Sequence, residues 1–207
     1  MTPAILRRWR LGAAIAYLLL CGCLGTPGQP DQFYRIELAP AHHANGSCSL
    51  PGTLQVNRLR TDGLTDGRHL LYRTAASTPE LRRHPYQLWV DPPSEMLQYE
   101  LARSLSGRAV AVQVVTADMR VPADYELEGR IVRMERVLGT EPRAELELDL
   151  VLIRSADRRV LLRFHQHDQL PAPDVAAAVR AWEASTARML ERFLAACGEL
   201  EAAQTEY

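Results

Sequence analysis

The chain has 207 residues and no lysine: all 24 of its basic residues are arginine. Codon bias in a GC-rich genome is the simpler account of that, and no function is drawn from it. The chain also lacks any apolar run long enough to span a bilayer as a helix. Its most apolar stretch, residues 11–24, is 14 residues long, short of the ~20 that a spanning helix needs. No G-x-S-x-G elbow, Walker loop or H-E-x-x-H pair occurs, and no C-x-x-C. The motifs that would signal a serine hydrolase, a nucleotide-binding loop, a zinc protease or a dithiol are therefore missing. There is no internal repeat and no low-complexity segment. Net charge is −1, and taking away the three arginines of the first ten residues leaves −4 for the rest. That balance argues against a nucleic-acid surface and offers no polybasic patch for anionic lipid. No cofactor is expected.

What is present begins with a leader. Arg7, Arg8 and Arg10 precede the apolar stretch, and no acid accompanies them. A basic segment, a short apolar segment and then small residues describe a secretory signal. A buried N-terminal helix would explain neither the arginines nor the ending Leu20-Cys21-Gly22-Cys23. That ending resembles the bacterial lipobox, in which the cysteine is lipidated and becomes the first residue. Cys23 fits, with Cys21 and Gly22 as small residues before it; Cys21 does not, because Leu19 and Leu20 would fill those places. The resemblance implies several acyl chains on Cys23. One such chain holds a protein marginally and several hold it almost permanently. Leu24, where an aspartate would retain the protein at the inner membrane, implies the outer membrane. Residues 1–22 are thus expected to be a signal peptide, 23–31 the lipidated cysteine and a tether, and 32–207 a single domain with one core.

Cys48 and Cys197 remain, in a compartment where disulfides persist. Either a disulfide joins them or both are buried thiols, and spacing alone does not decide. Strand-like runs occur at 33–38, 53–60, 68–74, 85–90 and 109–116. Between them, Asp91-Pro92-Pro93-Ser94 opens a helix with Ser94 as a possible cap. Met96, Leu97, Leu101 and Leu105 then recur at helical spacing up to a stop at Gly107. Three long alternating runs follow, an antiparallel meander, with a phase slip at Ile131–Val132 that predicts a β-bulge. A last helix over 174–197 carries the apolar stripe Val175, Val179, Trp182, Thr186, Met189, Leu190, Phe193 and Cys197. The fold class expected is α+β: a mostly antiparallel sheet covered by two helices. Trp89 and Trp182 are expected in the core, with lipid contact as the other reading.

Lipobox, strand order and the segment "PYQLWVDPPSEMLQYELARSL" together resemble the ABC-type transport auxiliary lipoprotein family, which includes the PqiC-like lipoproteins. Tyr72, Tyr86, Trp89, Pro92, Pro93, Met96 and Leu97 carry the resemblance; Val90 departs from it, standing where a small residue is expected. The resemblance implies a non-enzymatic accessory protein facing the periplasm from the outer membrane. Its implied partners are an inner-membrane permease and ATPase and a periplasmic MCE-domain (mammalian cell entry) protein, and its implied cargo is phospholipid or another hydrophobic molecule. Self-association into a homo-oligomer would suit a partner of MCE rings.

The alternative function is an enzyme or a metal-binding lipoprotein. His42-His43 is a weak metal candidate. His165 and His167, at i and i+2 on a strand, share a face and could hold zinc with nearby carboxylates. A hairpin over 144–169 gives them another role. With residues 155–157 as the turn, Leu152, Leu150 and Leu148 meet Val160, Leu162 and Phe164. Asp149, Glu147 and Glu145 then meet Arg163, His165 and His167. Under that register the histidines are cross-strand partners of glutamates.

Overall fold

In the computed structural model the chain divides into two units, Met1–Pro30 and Asp31–Tyr207. Residues 28–39 and 48–205 are described here, with side chains to residue 199. The expected signal peptide, Cys21, Cys23, most of the expected tether, His42 and His43 lie outside the described residues.

The second unit runs β1 (Gln32–Tyr34), β2 (Leu50–Val56), β3 (His69–Arg73), β4 (Arg82–Trp89), α1 (Pro93–Gly107), β5 (Ala111–Thr116), a 3-10 turn at Ala117–Met119, β6 (Tyr125–Val137), β7 (Arg143–Arg154), β8 (Arg159–Pro171) and α2 (Val175–Thr205). All eight strands join one sheet. Its body is the antiparallel meander β6–β7–β8, where strict alternation in sequence leaves one face to the core. In β7, Ala144, Leu146, Leu148, Leu150 and Leu152 are buried. The phase slip is real: Ile131 pairs with Leu148 and Arg133 with Glu147, leaving Val132 as the extra residue of a bulge.

The far edge of β6 is shared by two strands, both parallel to it. Leu54–Val56 of β2 lie beside Tyr125–Leu127, and Leu71–Arg73 of β3 lie beside Glu135–Val137. Between them Arg60 bridges the gap, its N–H donating to the Gly129 carbonyl at 2.9 Å and its carbonyl accepting from Ile131 at 2.8 Å. Beyond β2 lies β5; beyond β3 lie β4 and then β1.

The N-terminal strands depart from expectation in detail. The run at 33–38 is a strand only to Tyr34. Past that point the backbone donors are taken by side chains from the helices: Glu37 N–H by the Glu183 carboxylate at 3.0 Å, and Leu38 N–H by Glu100 at 2.8 Å. Ile36 and Leu38 are nevertheless buried. At the start of α1, Pro92 is the N-cap and Pro93 the first helical residue, with no side-chain cap. Proline has no N–H to satisfy there. Ser94, read as a cap, instead lies buried, donating to Asp66 Oδ1 at 2.6 Å and accepting from Arg58 Nε at 2.9 Å. The left-handed residue after the helix is Ala109 (φ 52), not Gly107. Asp174 caps α2, its Oδ1 accepting from Ala177 N–H at 2.7 Å.

Both helices cover the same face of the sheet. Met96, Leu97, Leu101 and Leu105 of α1 share one apolar core with Val179, Trp182, Met189, Leu190 and Phe193 of α2. Trp89 and Trp182 are core residues, with ring centroids 5.4 Å apart and planes tilted by 54°. Cys48 and Cys197 are bonded to each other, with Cα atoms 5.1 Å apart across a separation of 149 residues.

Candidate functional site on the open face of the sheet

Among the described residues, no helix packs on the other face of the meander. Alternation sends its charged residues there: Glu128, Arg130, Arg133 and Glu135 from β6, Glu145, Glu147 and Asp149 from β7, and Arg163, His165 and His167 from β8. The acidic row of β7 lies between arginines of β6 and the arginine and histidines of β8.

Glu145 is the centre. Its side chain is 2% exposed. Arg73 Nη2 donates to Oε2 at 2.5 Å, while Arg133 Nη1 and Gln169 Nε2 each reach Oε1 at 3.3 Å. His167 Nε2 lies 2.8 Å from Oε1. Arg73 also pairs through Nε with Glu135 at 2.6 Å, and Arg133 with Glu147 at 3.1 Å. Four strands, β3, β6, β7 and β8, are tied by this network. Burial pushes the Glu145 carboxyl up, but the hydrogen bond from His167 and the charges of Arg73 and Arg133 outweigh it and hold the group below the usual glutamate range. At Glu135 burial wins over Arg73, and that carboxyl sits above its usual range. Two buried carboxylates paired with the same arginine are thus set in opposite directions.

The hairpin register differs from expectation by two residues. Asp149 faces His165, Glu147 faces His167, Leu150 faces Phe164 and Leu152 faces Leu162. Two single-residue changes add up to the shift. The turn has four residues, not three: Arg154 pairs with Arg159, and Arg158 takes a left-handed conformation (φ 56). Leu161 is then extra, since Ile153 pairs with Val160 but Leu152 with Leu162. Because the shift is even beyond the bulge, the residues from Leu162 to His167 keep the face expected of them, whereas Val160, before it, pairs with Ile153 and changes face. The side chain of His167 reaches diagonally to Glu145 after all, and His165 Nδ1 lies 2.7 Å from Asp149. The two histidines thus serve different carboxylates. Among the described residues, no three His, Cys, Asp or Glu side chains are grouped to hold a metal ion. Beside this network a shallow groove of about 540 Å³ runs along the same face, between Arg60, Glu128, Arg130, Asp149, Arg163 and His165.

The motif residues separate by role. Trp89, Pro93, Met96 and Leu97 are buried, and Pro92 starts the helix, so these four and their cap shape the core. Tyr72 places its ring 4.5 Å from that of His84, and Tyr86 is exposed. Among the described residues, the hydrogen-bond partners of the Glu145 side chain are Arg73, Arg133, His167 and Gln169, none of them from the motif. Arg73, Arg133 and Glu135, which build that network, were not singled out from sequence. Arg133 and Glu135 share a parity after the bulge, which was a usable signal; Arg73 comes from a parallel strand, whose register sequence does not show.

The sequence profile of the ABC-type transport auxiliary lipoprotein component family matches residues 34–193. A crystal structure of a Xanthomonas campestris protein from the DUF330 family superposes with a TM-score of 0.70 at 19% identity, covering 85% of this chain and 100% of that one. The crystal structure of an uncharacterized protein gives 0.62 at 14% identity, covering 80% and 97%. At such identities the likeness speaks for the fold. No curated protein matches. The profile takes in every strand and helix from the end of β1 to Phe193 of α2, and on that ground the chain belongs to the family of ABC-type transport auxiliary lipoproteins.

Proposed function

We propose that the protein is a non-enzymatic adaptor, held by acylated Cys23 in the outer membrane and facing the periplasm. It receives or steadies the far end of a conduit whose other parts are an inner-membrane permease, its ATPase and an MCE-domain protein. The cargo is phospholipid or another hydrophobic molecule. The observation that carries the reading is the family match over residues 34–193, taken with a leader that ends in Leu20-Cys21-Gly22-Cys23. The open face supports it too. Its carboxylates are paired, with Arg60, Arg73 and Arg133 and with one histidine each at Glu145 and Asp149, which suits a rigid docking surface better than a reacting centre. Self-association would let several such faces line a ring.

The test is co-purification. The acylated protein, extracted in mild detergent, is expected to bring an MCE-domain protein with it. Recovery of the lipoprotein alone, with steady turnover of a substrate or with stoichiometric zinc on His165 and His167, would overturn the proposal.

A further inference from the structure

Phe33 and Tyr86 are exposed aromatic residues, 55% and 37% open to solvent. They come together at one edge of the sheet. Phe33 of β1 pairs directly with the half-buried Leu88 of β4, and Tyr86 lies two residues before Leu88 on that strand. The Arg68 guanidinium stands over the Phe33 ring, 5.6 Å from its centroid, and is fixed there by donating from Nε to the Trp89 carbonyl at 3.1 Å. Arg35 follows two residues after Phe33, and Arg83 precedes Leu88 on β4; both are exposed. The remaining exposed large apolar residues, Tyr99, Val112, Met119 and Val160, are spread over other elements.

An aromatic ring with an arginine laid on it has an apolar body and a cationic rim. That combination suits the headgroup layer of a bilayer, where ring and stem sink and the guanidinium meets phosphate. Chain length makes the same choice. Phe33 is ten residues after Cys23, and ten extended residues reach at most about 35 Å. Among the described residues, no other exposed aromatic lies so close in the chain to Cys23. We infer that the β1–β4 edge, with Phe33, Tyr86, Leu88 and Arg68, lies against the surface of the leaflet that holds the protein's own acyl anchor. This rests on the anchoring of Cys23 proposed above. The edge then sets which way the open charged face points, so the anchor supplies attachment and Phe33 supplies orientation.

The experiment uses the full chain, expressed with its leader, acylated, and reconstituted in phosphatidylethanolamine–phosphatidylglycerol vesicles. A spin label is placed at Phe33→Cys, with Val112→Cys and Met119→Cys as labels on other elements. Native thiols do not compete, since Cys48 and Cys197 are bonded to each other. At position 33 the label is expected to lose most of its accessibility to a water-soluble nickel chelate and to gain accessibility to oxygen, while positions 112 and 119 stay open to the chelate. A label at 33 as open to the chelate as the other two, in acylated and membrane-bound protein, overturns the inference alone. Protection at 33 that disappears as protein is diluted in lipid means that a second copy covers the edge, and overturns it as well. Protein that carries no acyl group and does not pellet with vesicles overturns the anchor, and the orientation with it.

Discussion

The indole Nε1–H of Trp182 donates to the backbone carbonyl of Glu145 at 3.0 Å. The residue at the centre of the charged network is therefore gripped from the core side by α2. Trp182→Phe keeps an aromatic ring but leaves that carbonyl without its indole donor, at a cost of roughly 1–3 kcal/mol. Phe193→Ala, in the same stripe and fully buried, opens a cavity and should cost about 3–5 kcal/mol. Thermal melts of the two variants should keep that order; an unchanged melt for Phe193→Ala would place the stripe outside the core.

The two buried glutamates should respond to pH with opposite signs. The Glu145 carboxyl is held below its ordinary value of 4.5 in the folded protein. Its contribution is then complete above that value and is lost as pH falls through the lower, folded one. Glu135 is held above 4.5, so its contribution is complete below that value and is lost as pH rises through the raised one. Glu145→Gln should consequently destabilise more than Glu135→Gln at pH 7. The gap should narrow as both carboxylates protonate towards pH 3. Denaturant midpoints of both variants over that range check the order, and a gap that widens on acidification would contradict it.

Gly129 sits where β6 passes between Leu59 and β7. A Cβ there would lie 2.6 Å from Leu59 Cδ2, 2.7 Å from Leu150 Cδ2 and 2.8 Å from the Asp149 carbonyl. The carbonyl belongs to the ladder and cannot step aside. Gly129→Ala should thus destabilise by about 1–3 kcal/mol through overpacking. A neutral effect in calorimetry would show that β6 has room at its centre.

The bond between Cys48 and Cys197 ties the start of β2 to α2. In the chain-entropy account a loop of that length is worth on the order of 4–5 kcal/mol. Cys197→Ser, or reduction of the wild type under denaturant, should shift the unfolding midpoint accordingly. Equal midpoints with and without reductant would mean the bond does not form in the protein.

For the anchor, Cys23→Ser should abolish acylation and membrane retention, whereas Cys21→Ser should leave both intact. Mass spectra of the membrane fraction decide it, and the reverse pattern would move the lipid to Cys21.

How far the sequence could be read depended on where each residue's partners come from. The meander was legible because alternation is local: the leucines of β7, the bulge at Val132 and the face of His165 and His167 follow from parity. Register was not, since it depended on Arg158 adopting a left-handed turn and on Leu161 bulging, neither of which parity records. Parallel pairing of β2 and β3 with β6 was also unreadable, because the chain between partners is long and carries no turn signal. Ser94 showed the limit of capping rules, as a better partner at Asp66 took the hydroxyl. Of the candidate site, the acidic row and the histidines were visible, while Arg73 entered only through the fold.

The shared edge of β6 also fixes an order of events. Both ladder partners of β2, and the inner partner of β3, are strands that follow it in the chain. As the chain is made, the N-terminal strands come first and meet no meander to join until Tyr125–Val137 has followed. In the meantime β3 and β4 can pair as a local hairpin with β1 beside it, and β2 can pair with β5, but nothing joins the two groups. Until β5 arrives β2, with Leu50, Leu54 and Val56, has no strand to pair with, and its other edge stays open until β6 follows. Each group thus carries an open strand edge until β6 enters between them, and that interval is the aggregation-prone one.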